Sequence, residues 1–169
     1  MTGVQTCALP ICDGALELRI GFSFVSEKNA RENLEAEMLG KSFAEVRSEA
    51  TATWNDLLGR IRVEGGTERE KGLFYSSLYR SFLWPALRSD VNGEFTDVDG
   101  KVINPGFRYY TGPSYWDDYR NKLILLGMLA PDVAADVISS DTDKGEKRGG
   151  FMPTFFHGEI GRASCRERV

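Results

Sequence analysis

The chain has 169 residues, enough for one domain with a sizeable core. Its formal charge of −4 argues against nucleic acid as the main partner. No stretch approaches the roughly 20 apolar residues of a membrane span.

Both ends read as foreign. Met1 to Ile11 (MTGVQTCALPI) and Glu159 to Val169 (EIGRASCRERV) are what two companion sequencing-adapter sequences give on translation. Residues 1–12 and 159–169 are therefore expected to be adapter-derived and are set aside from the fold. All three cysteines, Cys7, Cys12 and Cys165, fall in or at these ends, so they carry no redox or metal signal. A cysteine-free interior suits either the cytoplasm or an export route.

In chain order, Leu16 to Phe24 alternates apolar and polar residues and predicts a strand. A lone strand cannot bury a face, so its partners are expected upstream. Ser26 caps a predicted helix to Leu39, which Gly40 ends. Ser42 and Glu45 have capping-box spacing and open a second helix, with Phe43, Val46, Ala50, Trp54, Leu57, Leu58 and Ile61 along one stripe. Thr67 and Glu70 form a second capping box. The stripe behind it (Phe74, Tyr75, Leu78, Tyr79, Phe82) reads as core rather than ligand platform, and Pro85 ends that helix.

Asn92-Gly93 and Asp99-Gly100 predict a small hairpin or two tight turns between Asp90 and Val102. The acids there lack the spacing of an EF-hand. A further helix is expected from Pro113 or Ser114 to Leu129, and another from Pro131 to about Ser140. Asp141–Gly150 reads as a charged loop, and 151–158 as an aromatic one.

The stretch from Tyr109 to Arg120 (YYTGPSYWDDYR) is the densest in chemistry. Aromatic faces can stack on the C–H faces of a sugar. Carboxylate and guanidinium groups can make charge-assisted hydrogen bonds to its hydroxyls. An ordinary amphipathic helix start, with acids favoured by the helix dipole, would use several of the same residues. Ser114 and Asp117 in particular have reciprocal-cap spacing.

Several ordered blocks resemble glycoside hydrolase family 92, the calcium-dependent α-mannosidases. They are Ile20–Ser26 with Asn29–Glu37, Trp54–Leu58, Phe74–Arg80, Ser89–Gly93, and Tyr110–Gly112 with Ser114–Arg120. The last is similar to that family's S-x-W-D-T-Y-R stretch. The resemblance implies a mainly α fold: the last strand of an N-terminal β-sandwich (13–26), linker helices (27–62) and the first part of an (α/α)6 catalytic barrel (63–158). It also implies an exo-acting, inverting α-mannosidase acting on terminal α-mannosyl linkages of glycans, calcium as cofactor, and a periplasmic or secreted parent.

On that resemblance Asp117 matches the aspartate that hydrogen-bonds mannose hydroxyls, and Trp116 and Arg120 flank it as packing and orienting groups. The general acid, general base and calcium ligands are expected downstream, so no catalytic residue and no metal ligand is assigned here. His157, the only histidine, stands where a Gly-Asp-His stretch begins in relatives. The sequence departs from the family pattern at Asp118, where threonine is usual, and at Asn121-Lys122-Leu123. Other readings of the same residues are a non-catalytic glycan-binding helical module and a different (α/α)6-barrel glycosidase.

Overall fold

The computed structural model describes residues 3–10, 16–112, 118 and 120–150, and within them the chain is mainly helical. Strand β2 (Leu16–Ser23) pairs antiparallel with β1 (Gly3–Pro10), in a register that sets Gly3 opposite Ser23 and Pro10 opposite Leu16. The strand thus finds a partner within the chain, in the span read as adapter-derived. Ladder bonds run between backbones, so an open strand edge accepts an extended segment of any composition.

Helix α1 (Glu27–Met38) starts where Ser26 predicts, with the Ser26 hydroxyl accepting the Asn29 backbone N–H at 3.1 Å. It lies so close to β2 that a Cβ on Gly21 would sit 2.2 Å from the Ala30 carbonyl oxygen. Only glycine permits that approach. Arg19 of β2 donates to the Met38 and Lys41 carbonyls at 2.9 and 2.7 Å, closing the far end of the helix.

Helices α2 (Phe43–Leu58) and α3 (Glu68–Ser81) begin in the two expected capping boxes, Ser42/Glu45 and Thr67/Glu70. They meet through the Trp54 and Tyr79 rings, 4.5 Å apart. The Tyr75 hydroxyl donates to the Ile61 carbonyl at 3.1 Å and pins the turn between them. The expected core stripe is mostly open: among its residues on α3 only Leu78 is buried, and α2 buries none.

The glycine turns fall as expected, with Gly93 and Gly100 at φ +83° and +78°. A short hairpin of β3 (Phe95–Thr96) and β4 (Val102–Ile103) results. Its acids are used internally. Asp90 accepts from Ser23 Oγ at 2.6 Å, Asn29 Nδ2 at 2.9 Å and Asn33 Nδ2 at 2.8 Å, which docks the β2–α1 unit onto this loop.

Helix α4 (Lys122–Leu129) is followed by α5 (Pro131–Lys147). The expected start of α4 at Pro113 or Ser114 lies outside the described residues. The charged-loop expectation for 141–150 is corrected, because α5 runs on to Lys147. Its inward face, Ser140, Asp141, Lys144 and Gly145, is buried, and that tertiary burial outweighs the local loop signals. The helix ends at Gly149 and Gly150, both at positive φ, where Gly150 N–H returns to the Gly145 carbonyl at 2.8 Å. A core of Tyr110, Leu126, Ala130 and Val137 closes the corner between α4, α5 and residues 108–112.

Candidate active site

The aromatic motif emerges from a short extended segment gripped on both sides. On one side it bridges to residues 84–89. Arg88 N–H donates to the Tyr109 carbonyl at 2.7 Å, and Thr111 N–H to the Ala86 carbonyl at 2.9 Å. Thr111 Oγ1 accepts from Ala86 N–H at 2.8 Å, the Ser89 hydroxyl accepts from Tyr109 N–H at 2.6 Å, and Trp84 Nε1 donates to the Gly112 carbonyl at 3.2 Å.

On the other side stands α5. The Ser140 hydroxyl accepts from Tyr110 N–H at 3.0 Å, and Lys144 Nζ donates to the Tyr110 carbonyl at 2.8 Å. Lys144 is fully buried, lies 5.0 Å from the Tyr109 ring centroid and pairs with Asp141 at 3.0 Å. Burial pulls its ammonium below the ordinary lysine value, and Asp141 opposes the shift. Tyr109 stacks on Phe95 with ring centroids 3.6 Å apart. Burial, followed by Asp143, Asp97 and Asp141, drives its phenol well above the tyrosine range. The phenol therefore stays neutral and serves packing.

Trp116 and Asp117, two of the three sequence-predicted ligand residues, lie outside the described residues, as does His157. The third, Arg120, is exposed and lines a cleft of about 390 Å³ with Ser81, Asn121, Lys122 and the apolar side chains Ile124 and Met128. A cleft lined by both a guanidinium and apolar side chains suits a ligand that carries hydroxyls and C–H groups.

Asp118, one of the residues that depart from the expected pattern, pairs with Lys122. Lys122 Nζ lies 3.3 Å from Asp118 Oδ1, with their side chains 19% and 9% exposed. A nearly buried carboxylate is stabilised by a nearby cation, and the residue four positions on supplies one. Among the described residues no group of three or more His, Cys, Asp or Glu side chains converges as a metal cage.

Lys144 and Ser140 carry no motif in the sequence, whereas Ser89 opens one of the resemblance blocks. The available signal was periodic: Val133, Val137, Ser140 and Lys144 continue one helical face through the supposed loop.

The model of the glycosyl hydrolase family 92 catalytic domain matches residues 29–163. The chain belongs to glycosyl hydrolase family 92. Over 81% of its length it superposes on the family 92 glycosyl hydrolase ccman5, with TM-score 0.74 and 30% identity, covering 19% of that chain. Over 83% it superposes on the family 92 α-mannosidase BT3965 from Bacteroides thetaiotaomicron, with TM-score 0.77 and 29% identity, again covering 19%. BT3965 has also been solved in complex with mannoimidazole. An 80-residue stretch, 45% of this chain, is 35% identical to 10% of an uncharacterized secreted glycosidase from Arthroderma benhamiae. The chain thus spans about a fifth of the length of these solved relatives.

Proposed function

We propose that this chain is part of an exo-acting, inverting α-mannosidase that removes terminal α-mannosyl residues from glycans. Residues 13–26 would close an N-terminal β-sandwich and residues 63–158 would open an (α/α)6 barrel, with 27–62 linking them. The carrying observation is the family match across residues 29–163, which contains the Trp116-Asp117-Asp118-Tyr119-Arg120 motif. The mannoimidazole complex of BT3965 supports mannose as the ring recognised.

In this reading Asp117 accepts hydrogen bonds from mannose hydroxyls. Arg120 donates to the same edge, and Trp116 packs against the ring. The segment 109–112 serves them by rigidity: with its backbone bonded to 84–89 and to α5, it fixes where the motif starts. Inversion needs a general acid and a general base about 6.5–9.5 Å apart, and both are assigned to residues beyond the described ones. Calcium is the proposed cofactor, with ligands likewise elsewhere; when bound it would orient the sugar and the attacking water. Export to the periplasm or the cell exterior is proposed, consistent with the secreted name of the Arthroderma relative.

The test is hydrolysis of α-1,2- and α-1,3-mannobiose by the complete gene product, with and without a calcium chelator. Asp117→Ala should lower kcat/KM roughly 30- to 1,000-fold, the equivalent of about 2–4 kcal/mol of transition-state stabilisation. Unchanged turnover in that variant would remove Asp117 from the site.

A further inference from the structure

A second cleft, of about 570 Å³, opens between α1, the 87–93 loop, the 104–108 loop and α5, and shares no lining residue with the Arg120 cleft. Its volume falls in the roughly 300–1,000 Å³ range of small-ligand sites. The hydrogen-bonding groups on its wall are held in place yet keep unused capacity. Arg108 Nε donates to Asp136 Oδ2 at 2.7 Å, and no protein partner is found among the described residues for its two terminal nitrogens or for Asp136 Oδ1.

Asn104 is similarly fixed. Its Nδ2 donates to the Asn92 carbonyl at 2.9 Å and its Oδ1 accepts from Gly106 N–H at 3.3 Å, so one N–H and one lone pair remain. Gly93 leaves just enough room for this amide, since a Cβ there would lie 3.0 Å from it. Half-buried Phe107 and half-exposed Leu87 and Val91 supply the apolar part of the wall.

Charge narrows the occupant. Glu37, Asp90 and Asp136 line the cleft with a single guanidinium, Arg108, a balance that disfavours an anion. A bare metal ion would need converging ligands, and the described residues offer none. A neutral ring with adjacent hydroxyls fits: a fixed guanidinium–carboxylate pair donates to one hydroxyl and accepts from its neighbour, while C–H faces meet Phe107.

We propose that this cleft is a second, non-catalytic carbohydrate site that takes one pyranose ring of an α-mannan through a vicinal diol. It would hold a polymeric substrate near the enzyme while the terminal sugar is removed elsewhere. The assignment of α-mannan as the polymer rests on the proposed α-mannosidase activity; the diol chemistry does not.

The experiment is affinity electrophoresis of the complete gene product through gels containing soluble α-mannan, paired with hydrolysis of α-1,2-mannobiose. Wild type should be retarded. Arg108→Ala should weaken that retardation about tenfold in apparent Kd, the loss expected for charge-assisted hydrogen bonds. Its kcat/KM on mannobiose should stay within about twofold, which also shows that the variant folds. Equal retardation of Arg108→Ala and wild type would overturn the proposal. So would retardation abolished by Asp117→Ala alone, or a joint loss of hydrolysis and retardation in Arg108→Ala. Absence of mannobiose hydrolysis in wild type, with Arg108-dependent retardation intact, would sink the α-mannosidase reading and leave this site standing.

Discussion

Two pairs of helices show opposite relations between local signal and burial. Helices α2 and α3 open on complete capping boxes, yet between them only Leu78 is buried. The α4–α5 corner has no side-chain cap at either helix start, yet it holds the core cluster and a fully buried lysine. Caps fix where a helix begins, each contributing about 0.5–2 kcal/mol, whereas long-range contacts decide what it buries. The difference has a functional side. The corner grips residues 109–112, the segment that leads into the proposed sugar motif, while α2 and α3 present open apolar faces.

The largest effect should come from the corner. Lys144→Ala removes a cationic partner of Asp141 and the donor to the Tyr110 carbonyl. Removing the cation of a buried pair and the donor to a buried carbonyl should cost about 3–5 kcal/mol in urea unfolding. The double variant Lys144→Met/Asp141→Leu removes both charges and should recover part of that loss, because well-packed apolar groups can replace a buried pair. A Lys144→Ala variant as stable as wild type would erase the contrast between the two helix pairs.

This corner was also the least legible part of the fold. Asp141, Asp143, Lys144, Gly145 and Lys147 look like a solvated loop when read locally, and only the packing of 108–111 and of the 97–98 turn makes them a helix face. The capping boxes, the Gly93 and Gly100 turns and the Ser26 cap were legible because each is written within four or five residues. For the candidate site, sequence supplied Arg120 and its neighbours. The pairing of Asp118 with Lys122 shows only once the chain turns there and brings the two side chains to 3.3 Å.

A smaller effect, with a pH signature, should come from Asp97 and Lys147, paired at 3.0 Å between the hairpin turn and α5. Burial alone would raise the Asp97 carboxyl, but Lys147 and the N–H groups of Lys101 and Asp99 outweigh it and hold it below its usual 3.8. Burial likewise opposes the Lys147 ammonium, but Asp143 and Asp97 outweigh it and lift it above 10.5. A depressed carboxyl contributes stability above 3.8 that is lost as pH falls through its folded value. A raised lysine contributes stability below 10.5 that is lost as pH climbs through its folded value. Stability measured against pH should therefore drop at both limits. Asp97→Asn should cost about 1–2 kcal/mol near neutrality and flatten the acid limb.

The smallest change in folding energy belongs to α2 and α3, and it sharpens the comparison because the expected readout is association instead. Phe43 is 71% exposed and Leu73 59%; on α4, Ile124 and Met128 are 61% and 74% exposed. Apolar side chains this open add little to the stability of the chain itself, so Phe43→Ser with Leu73→Lys should shift urea unfolding by less than about 0.5 kcal/mol per site. Contiguous apolar surface nevertheless drives contact between molecules. The 169-residue chain should elute from a sizing column as concentration-dependent oligomers, and the Phe43→Ser/Leu73→Lys pair should move it toward monomer. If the substitutions instead destabilised the fold as strongly as Lys144→Ala, the α2–α3 faces would be part of the core after all. A single monomeric peak for wild type at high concentration would show that these faces do not drive self-association.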